Sequence, residues 1–440
     1  MRQVLLLLAL YIGIVMGPPV AVFLAGSGSG NAVMETGKLF ALAGFMILAL
    51  QFLLAARFKW IERPVGLDIL IRYHKHMAVF ALALLLAHPL LIAAGGGGWQ
   101  LLIGLDLPWS IWLGKLTLVI VIATVLVSLY LVPRKLKFEK WRIGHDMAAP
   151  AMVVFAFTHS WYAGEDLAMP FMKTLWIGAL LTTILVFIHH RILRSLRLKR
   201  RPYSVTDVTP ESEDVWTVTL APPRGQRVPP FLPGQFHFIT FYRGRGLPVE
   251  EHHWTISSSP RRRDRVSSTI KALGDFTSTM GETRAGDQAA VHGAFGRFSH
   301  VLHPEEKDLV FVAGGIGITP LMSMLRYMRD SGESLSVLLL YANQNEKKIL
   351  FRRELEDMEK EEAPPRLKVV HVLSRPEVDW TGEKGHVDRE KIERYAGGNL
   401  EGKVFYVCGP PGMLKAVLAV LAGLGVPDQR IRMEIFSFLD

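Results

Sequence analysis

Four histidines stand out by their spacing. His74 and His88 lie fourteen residues apart in an apolar stretch, YHKHMAVFALALLLAHPLLIAAG, and the same interval separates His145 from His159 in IGHDMAAPAMVVFAFTHSWY. On an α-helix, fourteen residues rise about 21 Å and turn through about 1400°, about 40° short of four turns, so each pair occupies one helix face. Imidazole ligates Zn, Cu, Fe and Ni. With no carboxylate or thiol assigned to either pair, two axial imidazoles per site fit a haem, whose ring fills the remaining positions. The expected metal ligands are therefore His74, His88, His145 and His159, first pairing with first and second with second, for two stacked b-type haems. His76 lies twelve residues before His88, rotated about 120° away, and is set aside. The competing reading is that some of these histidines only hydrogen-bond across helices.

The elements that must position them are long hydrophobic helices. Six apolar runs, roughly 3–25, 37–56, 73–94, 110–132, 145–163 and 171–190, are long enough to span a bilayer. The loop 57–72 carries Arg57, Lys59, Arg63 and Arg72; the loop 133–142 carries Arg134, Lys135, Lys137, Lys140 and Arg142; the tail carries Arg191, Arg194, Arg197, Lys199, Arg200 and Arg201. The alternate loops, 26–36, 95–109 and 160–170, contain neither Lys nor Arg. By the positive-inside rule both termini and the C-terminal half are cytoplasmic, in a multi-pass protein of the cell (inner) membrane. His74 and His145 then lie toward the cytoplasm, and His88 and His159 toward the outer face. His189 and His190, at the end of the last run, read as interfacial anchors.

The bulk numbers agree. A chain of 440 residues with mean hydropathy +0.25 is too long and apolar for one soluble domain. Its net charge of +10 would suit nucleic acid, but the basic residues flank hydrophobic runs and form no nucleic-acid motif, so that class is excluded. The only cysteine, Cys408, rules out an intramolecular disulfide and any cysteine-based cluster. The N-terminal run lacks a developed basic region and is expected to be a retained helix rather than a signal peptide.

After the basic tail the pattern changes twice. YSVTDV, VWTVTLA and FHFITF alternate with turn signals, as in a small antiparallel barrel. Further on, DLVFVAGG, VLLLYAN, LKVVHVLS and KVFYVCG alternate with helical segments, as in a parallel α/β sheet with ligands at the carboxyl ends of its strands. Glycines in Gly314-Gly315-Ile316-Gly317-Ile318-Thr319-Pro320 allow a cofactor close to the backbone at a helix start.

Several of these segments resemble motifs of the NADPH oxidase and ferric reductase superfamily. His252-His253-Trp254-Thr255 is similar to its His-Pro-Phe-Thr flavin motif, Gly274-Asp275-Phe276-Thr277 to its Gly-Asp-Trp-Thr, and His292-Gly293-Ala294-Phe295-Gly296 to its Gly-Pro-Phe-Gly. His253 stands in place of the family proline and Trp254 in place of its phenylalanine. The 314–320 loop resembles the GGxGxTP loop of the ferredoxin–NADP reductase family, and Cys408-Gly409-Pro410-Pro411-Gly412-Met413 its Cys-Gly-Pro signature. Ser374-Arg375 is similar to the pair that holds a 2′-phosphate.

The resemblance implies a multi-domain membrane protein. A six-helix α-helical transmembrane bundle (1–195) would bind the haems, an antiparallel β-barrel domain (200–303) FAD, and an α/β nucleotide-binding domain (306–440) NADPH, with NADH as the alternative. It implies flavin contacts from His252, Trp254, Thr255, Gly274, Phe276 and Thr277. Nucleotide contacts would come from Gly314, Gly315, Gly317, Thr319, Pro320, Ser374, Arg375, Gly409, Pro410 and Met413, with Cys408 near the nicotinamide. Phe436, or else Phe438, would be the C-terminal aromatic covering the flavin. Electrons from cytosolic NADPH would pass through FAD and two haems to an external acceptor. Outer loops carrying Asp106, Glu165 and Asp166 but no Lys or Arg favour oxygen, giving superoxide, over an anionic ferric chelate. A quinone or periplasmic protein is a further alternative, and a haem-free scaffold another. No regulatory subunit is indicated.

Overall fold

A computed structural model describes residues 2–26, 31–132, 138–361 and 363–435, in two compact units that divide at Leu196/Arg197.

The first unit is helical. α1 (Arg2–Ala25) contains Pro18 and Pro19. α2 (Ala32–Ala55) starts at Asn31, whose side chain accepts from the N–H groups of Val33 and Met34. Short α3 (Lys59–Val65) leads into α4 (Leu67–Ile92), which runs on as a π-helical turn over Ala93–Gly97. α5 (Gln100–Ile103), α6 (Trp109–Leu126), α7 (Phe138–Ala163), α8 (Pro170–Phe187) and α9 (Arg194–Arg200) complete it, with π-helical stretches after α6 and α8. α2 is the most deeply packed: Leu42 to Gln51 are all buried. Small residues make its contacts close. A Cβ on Gly44 would lie 2.9 Å from Leu85 Cγ, so α2 and α4 meet where a side chain is missing. Phe45 stacks on Trp176 of α8 at 4.7 Å, and the Trp176 indole donates to Ser160 Oγ at 2.9 Å. Apolar side chains on the outer faces of α1 and α6, such as Leu6, Phe23 and Val119, stay exposed, as expected where lipid is the solvent.

Among the described residues five helices are long and apolar enough to cross a membrane: Arg2–Ala25, Ala32–Ala55, Leu67–Gly97, Trp109–Leu131 and Pro170–Arg200. The expected sixth span falls in α7. That helix is 26 residues long, but Glu139, Lys140, Arg142 and Asp146 occupy its first turns and shorten its uncharged run. Length and hydropathy therefore support five or more spans and do not by themselves confirm the sixth.

The second unit holds two sheets. β1 (Tyr203–Ser212), β2 (Val215–Ala221), β3 (Phe236–Tyr242), β4 (Glu251–Thr255), β5 (Val266–Lys271) and β6 (Gln288–Phe295) form an antiparallel sheet in the order β4-β3-β6-β1-β2-β5. The barrel expectation is met only in part. Its edge strands are joined by the isolated bridge Ile256–Ser268 and the bond from Ser257 N–H to Ser267 C=O, not by a ladder. β4 is only five residues long and ends before it can pair along β5, so the sheet curls without closing.

The other sheet is parallel, in the order β10-β9-β8-β7-β11-β12. Its strands are β7 (Asp308–Gly314), β8 (Ser336–Asn343), β9 (Arg366–Leu373), β10 (Glu383–Lys384), β11 (Val404–Cys408) and β12 (Ile431–Glu434). α10 (Ile318–Ser331), α11 (Arg352–Lys360), α12 (Arg389–Ala396) and α13 (Pro411–Gly423) connect them. Val310, Phe311, Val312, Phe405, Tyr406 and Val407 are fully buried, as central parallel strands require. The chain leaves β7 toward β8 on one side and enters β11 on the other. That reversal is the place where such sheets bind ligands.

Candidate redox sites in the helices and the paired loops

α4 and α7 bring the four histidines together in two pairs. The rings of His74 and His145 are 6.2 Å apart between centroids, and those of His88 and His159 are 6.4 Å apart. First meets first and second meets second, so the two helices run parallel. In the second pair the backbone orients both rings. His88 Nδ1–H donates to the Gly37 carbonyl at 2.9 Å, and His159 Nδ1–H to the Ser110 carbonyl at 2.8 Å. A carbonyl can only accept, so Nδ1 carries the proton and Nε2 keeps its lone pair for a metal. A Cβ on Gly114 of α6 would fall 2.8 Å from His159 Cε1 and Nδ1, so glycine makes room for that ring. His76 turns away: it is exposed, with its Nδ1 at 2.7 Å from the Arg72 carbonyl.

Around the first pair lies a partly open cavity of about 130 Å³, lined by His74, His145, Gln51, Asp146, His190 and Arg191 among others. The Gln51 amide is buried and neither its oxygen nor its nitrogen has a hydrogen-bond partner among the described residues. His74 lies by the Gln51 backbone, yet its Nδ1 completes no bond of good geometry. Buried polar atoms rarely stay unmatched. A flat, largely apolar group with a metal at its centre and polar edges is the kind of occupant these walls fit. Two expectations need correcting here. His190 is not only an interfacial anchor, since it lines this cavity with its Nδ1 at 2.9 Å from the Ala56 carbonyl. A carboxylate does accompany the first pair: Asp146 follows His145 directly and ion-pairs with Arg191. The sequence reading passed over Gln51, Gly37, Ser110 and Gly114; polar and glycine residues inside apolar spans were the available signal.

In the curled sheet, β4 places His252 and Trp254 on one face and His253 and Thr255 on the other. His252 lies 4.4 Å from the Phe276 ring, and Trp254 lies near-parallel to Phe276 at 6.0 Å. Arg243 sits 4.9 Å over Phe276 and donates to the Thr279 carbonyl at 2.9 Å. His252 Nε2 is 2.8 Å from Glu250 Oε2, and Thr255 is buried. Thr277 behaves differently from expectation. Its hydroxyl oxygen accepts from the N–H groups of Leu273 and Gly274, at 2.9 and 3.0 Å. The Gly274 N–H therefore points into its own turn and is not offered to a pyrophosphate. Below this layer His237 is fully buried, with Nε2 at 2.7 Å from Ser268 Oγ. Burial pushes its pKa down to about 3.

At the reversal of the parallel sheet two loops pack backbone to backbone. A Cβ on Gly314 would lie 2.5 Å from Met413 Sδ and 2.9 Å from Pro410 Cδ. One on Gly409 would lie 3.1 Å from Gly314 Cα. Gly314, Gly317, Gly409, Pro410 and Met413 are thus brought into one place. Gly315 has φ +52°, and its carbonyl accepts from the Tyr341 hydroxyl at 3.2 Å. Thr319 and Pro320 are buried in the first turn of α10, with Thr319 Oγ1 donating to the Ile316 carbonyl. The Cys408 thiol is fully buried in the core, and burial raises its pKa. Its carbonyl, not its sulfur, faces Gly317. Ser374 and Arg375 are exposed at the carboxyl end of β9, where their N–H groups donate to the Asn343 and Gln344 carbonyls at 3.0 and 2.7 Å. Phe436 and Phe438 lie outside the described residues.

Arg326 is among the contacts that join the two sheets behind these sites. Arg326 of α10 donates to the Ser257 carbonyl at 2.6 Å, two residues beyond Thr255. It also grips Glu354 with Nε and Nη2, at 2.9 and 2.6 Å, and lies over the Phe351 ring at 4.8 Å.

Comparison with known proteins matches both units. Residues 40–156 match the ferric reductase like transmembrane component, and residues 311–419 the oxidoreductase NAD-binding domain. The stachydrine N-demethylase reductase subunit of Rhizobium meliloti is 32% identical over 54% of this chain and 66% of its own length. The glycine betaine monooxygenase reductase subunit of Pseudomonas aeruginosa is 32% identical over 47% of this chain and 56% of its own. The chain thus spans less than two thirds of each of these relatives. Among solved structures, the cytochrome b5 reductase domain of Ulva prolifera nitrate reductase aligns over 54% of this chain and 98% of its own, at 24% identity and TM-score 0.47. The NAD-binding match assigns a pyridine nucleotide to the parallel-sheet domain. A ferric-reductase-like membrane component thus stands ahead of an oxidoreductase NAD-binding domain, the arrangement that the resemblance to the NADPH oxidase and ferric reductase superfamily implies.

Proposed function

We propose that the chain carries electrons from cytosolic NADPH across the inner membrane to a one-electron acceptor outside, oxygen first, with superoxide as product. FAD and two b-type haems, when bound, supply hydride acceptance and one-electron passage. The observation that carries this reading is the pairing of His74 with His145 and of His88 with His159 at nearly equal ring separations.

The chain's own residues hold, orient and insulate. His74 and His145 would hold one haem, with Gln51, His190 and Arg191 offering polar contacts to its edge. His88 and His159 would hold the other, each fixed in one tautomer by a backbone carbonyl. α7 would be the sixth span, and both termini would be cytoplasmic. In the reductase part, Trp254 and His252 would flank the flavin and Thr255 would face its edge, while the 314–320 loop and the 408–413 loop would bind the phosphates and nicotinamide of the nucleotide. Ser374 and Arg375 would take the 2′-phosphate, favouring NADPH over NADH. A single buried thiol that stays protonated has no acid, base or nucleophilic task here.

The acceptor choice rests on charge. Near the expected outer boundary Lys38 is paired with Glu35 and Glu165, each at 3.3 Å, and Lys115 donates to the Gly104 carbonyl at 3.1 Å. These cations are already engaged, which leaves little to attract an anionic ferric chelate and no obstacle to neutral oxygen. The test is NADPH-driven turnover of the purified, FAD- and haem-loaded protein. Cytochrome c reduction suppressed by superoxide dismutase supports the oxidase. Anaerobic reduction of ferric chelate at an equal or greater rate replaces it with the reductase. Absence of b-type bands in the reduced-minus-oxidised spectrum sinks both.

A further inference from the structure

The second unit carries a basic recess that no step of electron transfer uses. The loop after β2 and the loop between β4 and β5 border an open recess of about 610 Å³. Arg224, Arg227, Arg261, Arg262 and Arg263 line it, and Asp264 is its only carboxylate. Asp264 is already bonded to Arg265 at 2.8 Å. Among the described residues Arg224, Arg227, Arg261 and Arg262 are exposed, and no side-chain bond ties them to a carboxylate. The recess lies at the start of β5, whereas the turn 274–277 follows its end, so the strand separates them by roughly 20 Å.

Three features set this recess apart from an ordinary solvated charge run. First, the two loops are tied to each other. Val228 N–H donates to the Arg263 carbonyl, and Arg263 Nε donates back to the Val228 carbonyl, both at 2.9 Å. Turns closed by Gln226 N–H to Pro223 C=O and Arg262 N–H to Ser259 C=O, with Gly225 at φ +77°, hold the rest. Second, every cation lining the recess is arginine and none is lysine. The planar guanidinium fork matches the oxygens of a phosphate two at a time, which an ammonium cannot do. Third, five like charges converge on one concavity, and their mutual repulsion falls only when a counter-anion enters.

We propose that this recess binds a phosphate-bearing anion of at least two negative charges, either a soluble phosphate compound or the headgroup of an anionic phospholipid. The site is independent of the electron-transfer reading and stands or falls separately.

The experiment is hydrogen–deuterium exchange on the full, FAD-loaded chain with NADP⁺ saturating, so that the nucleotide loops are occupied. Inorganic pyrophosphate is the probe. The amides of Gln226, Val228 and Arg262 should slow about a hundredfold at a hundred times the dissociation constant. Arg261→Ser/Arg262→Ser should abolish the effect, and Arg375→Ser should leave it intact. Should the first double variant lose flavin absorbance or helical signal, Arg224→Ser/Arg227→Ser tests the same site from the other loop; Arg263 is left alone because it ties the loops. In a second arm, nanodiscs of phosphatidylcholine alone and of phosphatidylcholine with cardiolipin, whose headgroup carries two phosphates, are compared without pyrophosphate. Salt-sensitive slowing only in the anionic discs assigns the phosphate to lipid, and slowing only with pyrophosphate assigns it to a soluble compound. No slowing in either arm, or equal slowing in the arginine variants, overturns the proposal.

Discussion

On the proposed reading, the helical unit and the parallel-sheet loops would solve the same problem, holding a redox group in place, with opposite parts of the chain. In the helices side chains do the holding: four imidazoles project from α4 and α7, and backbone carbonyls of α2 and of the start of α6 only aim two of them. In the loops the backbone does the holding. Gly314, Gly317 and Gly409 matter because they lack side chains, and the residues around them, Met413 and Pro410, fill the space so gained. A substitution in the first region should therefore delete a site outright, whereas one in the second should displace it.

The sharpest break of that contrast is His88→Ala or His159→Ala. Either should remove the absorbance of one haem and stop transmembrane turnover while NADPH still reduces the flavin; loss of flavin reduction in a folded variant would contradict the proposed order. Gly114→Ala comes next. Its methyl would collide with the His159 ring and should cost about 1–3 kcal/mol or expel the ring, seen as loss of one haem signal with helix content kept. Gly314→Ala should push the 408–413 loop away and raise KM for NADPH about tenfold or more, with both haem signals unchanged; an unchanged KM would mean that the loops give way freely. Arg326→Ala should lower stability by about 1–3 kcal/mol, since Glu354 loses its fork and the Ser257 carbonyl its donor, and a melting curve would show it.

The last effect is one of pH. His237 is buried and neutral in the fold, with its pKa pushed down to about 3, against about 6.5 in the unfolded chain. Between those values the unfolded chain binds the extra proton. Stability contributed by the neutral ring is complete above about pH 6.5 and falls by up to about 1.4 kcal/mol per unit as pH drops toward 3. The melting temperature should decline from pH 7 to pH 5, and His237→Gln should flatten part of that slope.

The same contrast explains what could be read beforehand. Histidine spacing is a side-chain signal on a regular helix, so a fourteen-residue interval translates directly into geometry. The strands and helices of the parallel sheet were legible for the same reason, each being a buried run followed by an amphipathic one. What stayed hidden is set by packing between distant segments. Nothing in Gly274-Asp275-Phe276-Thr277 says that the threonine hydroxyl will take up the glycine N–H itself. Nor does Cys408 announce that its thiol faces the core while its carbonyl faces Gly317. The closure of the curled sheet depended on the length of β4, which motifs do not report.

One detail of α2 reaches further than its role as the buried helix. Gly37 accepts the His88 proton and Gln51 lines the His74 cavity, and these two residues are again fourteen apart. A third helix thus carries the same ruler as the two that bear the histidines, laid in the reverse direction. Inserting one residue between Gly37 and Gln51 would turn one end of that ruler by about 100° against the other. Neither site could be retuned by sliding α2 without detuning its neighbour, so the two are geared together, and drift in one must be answered in both.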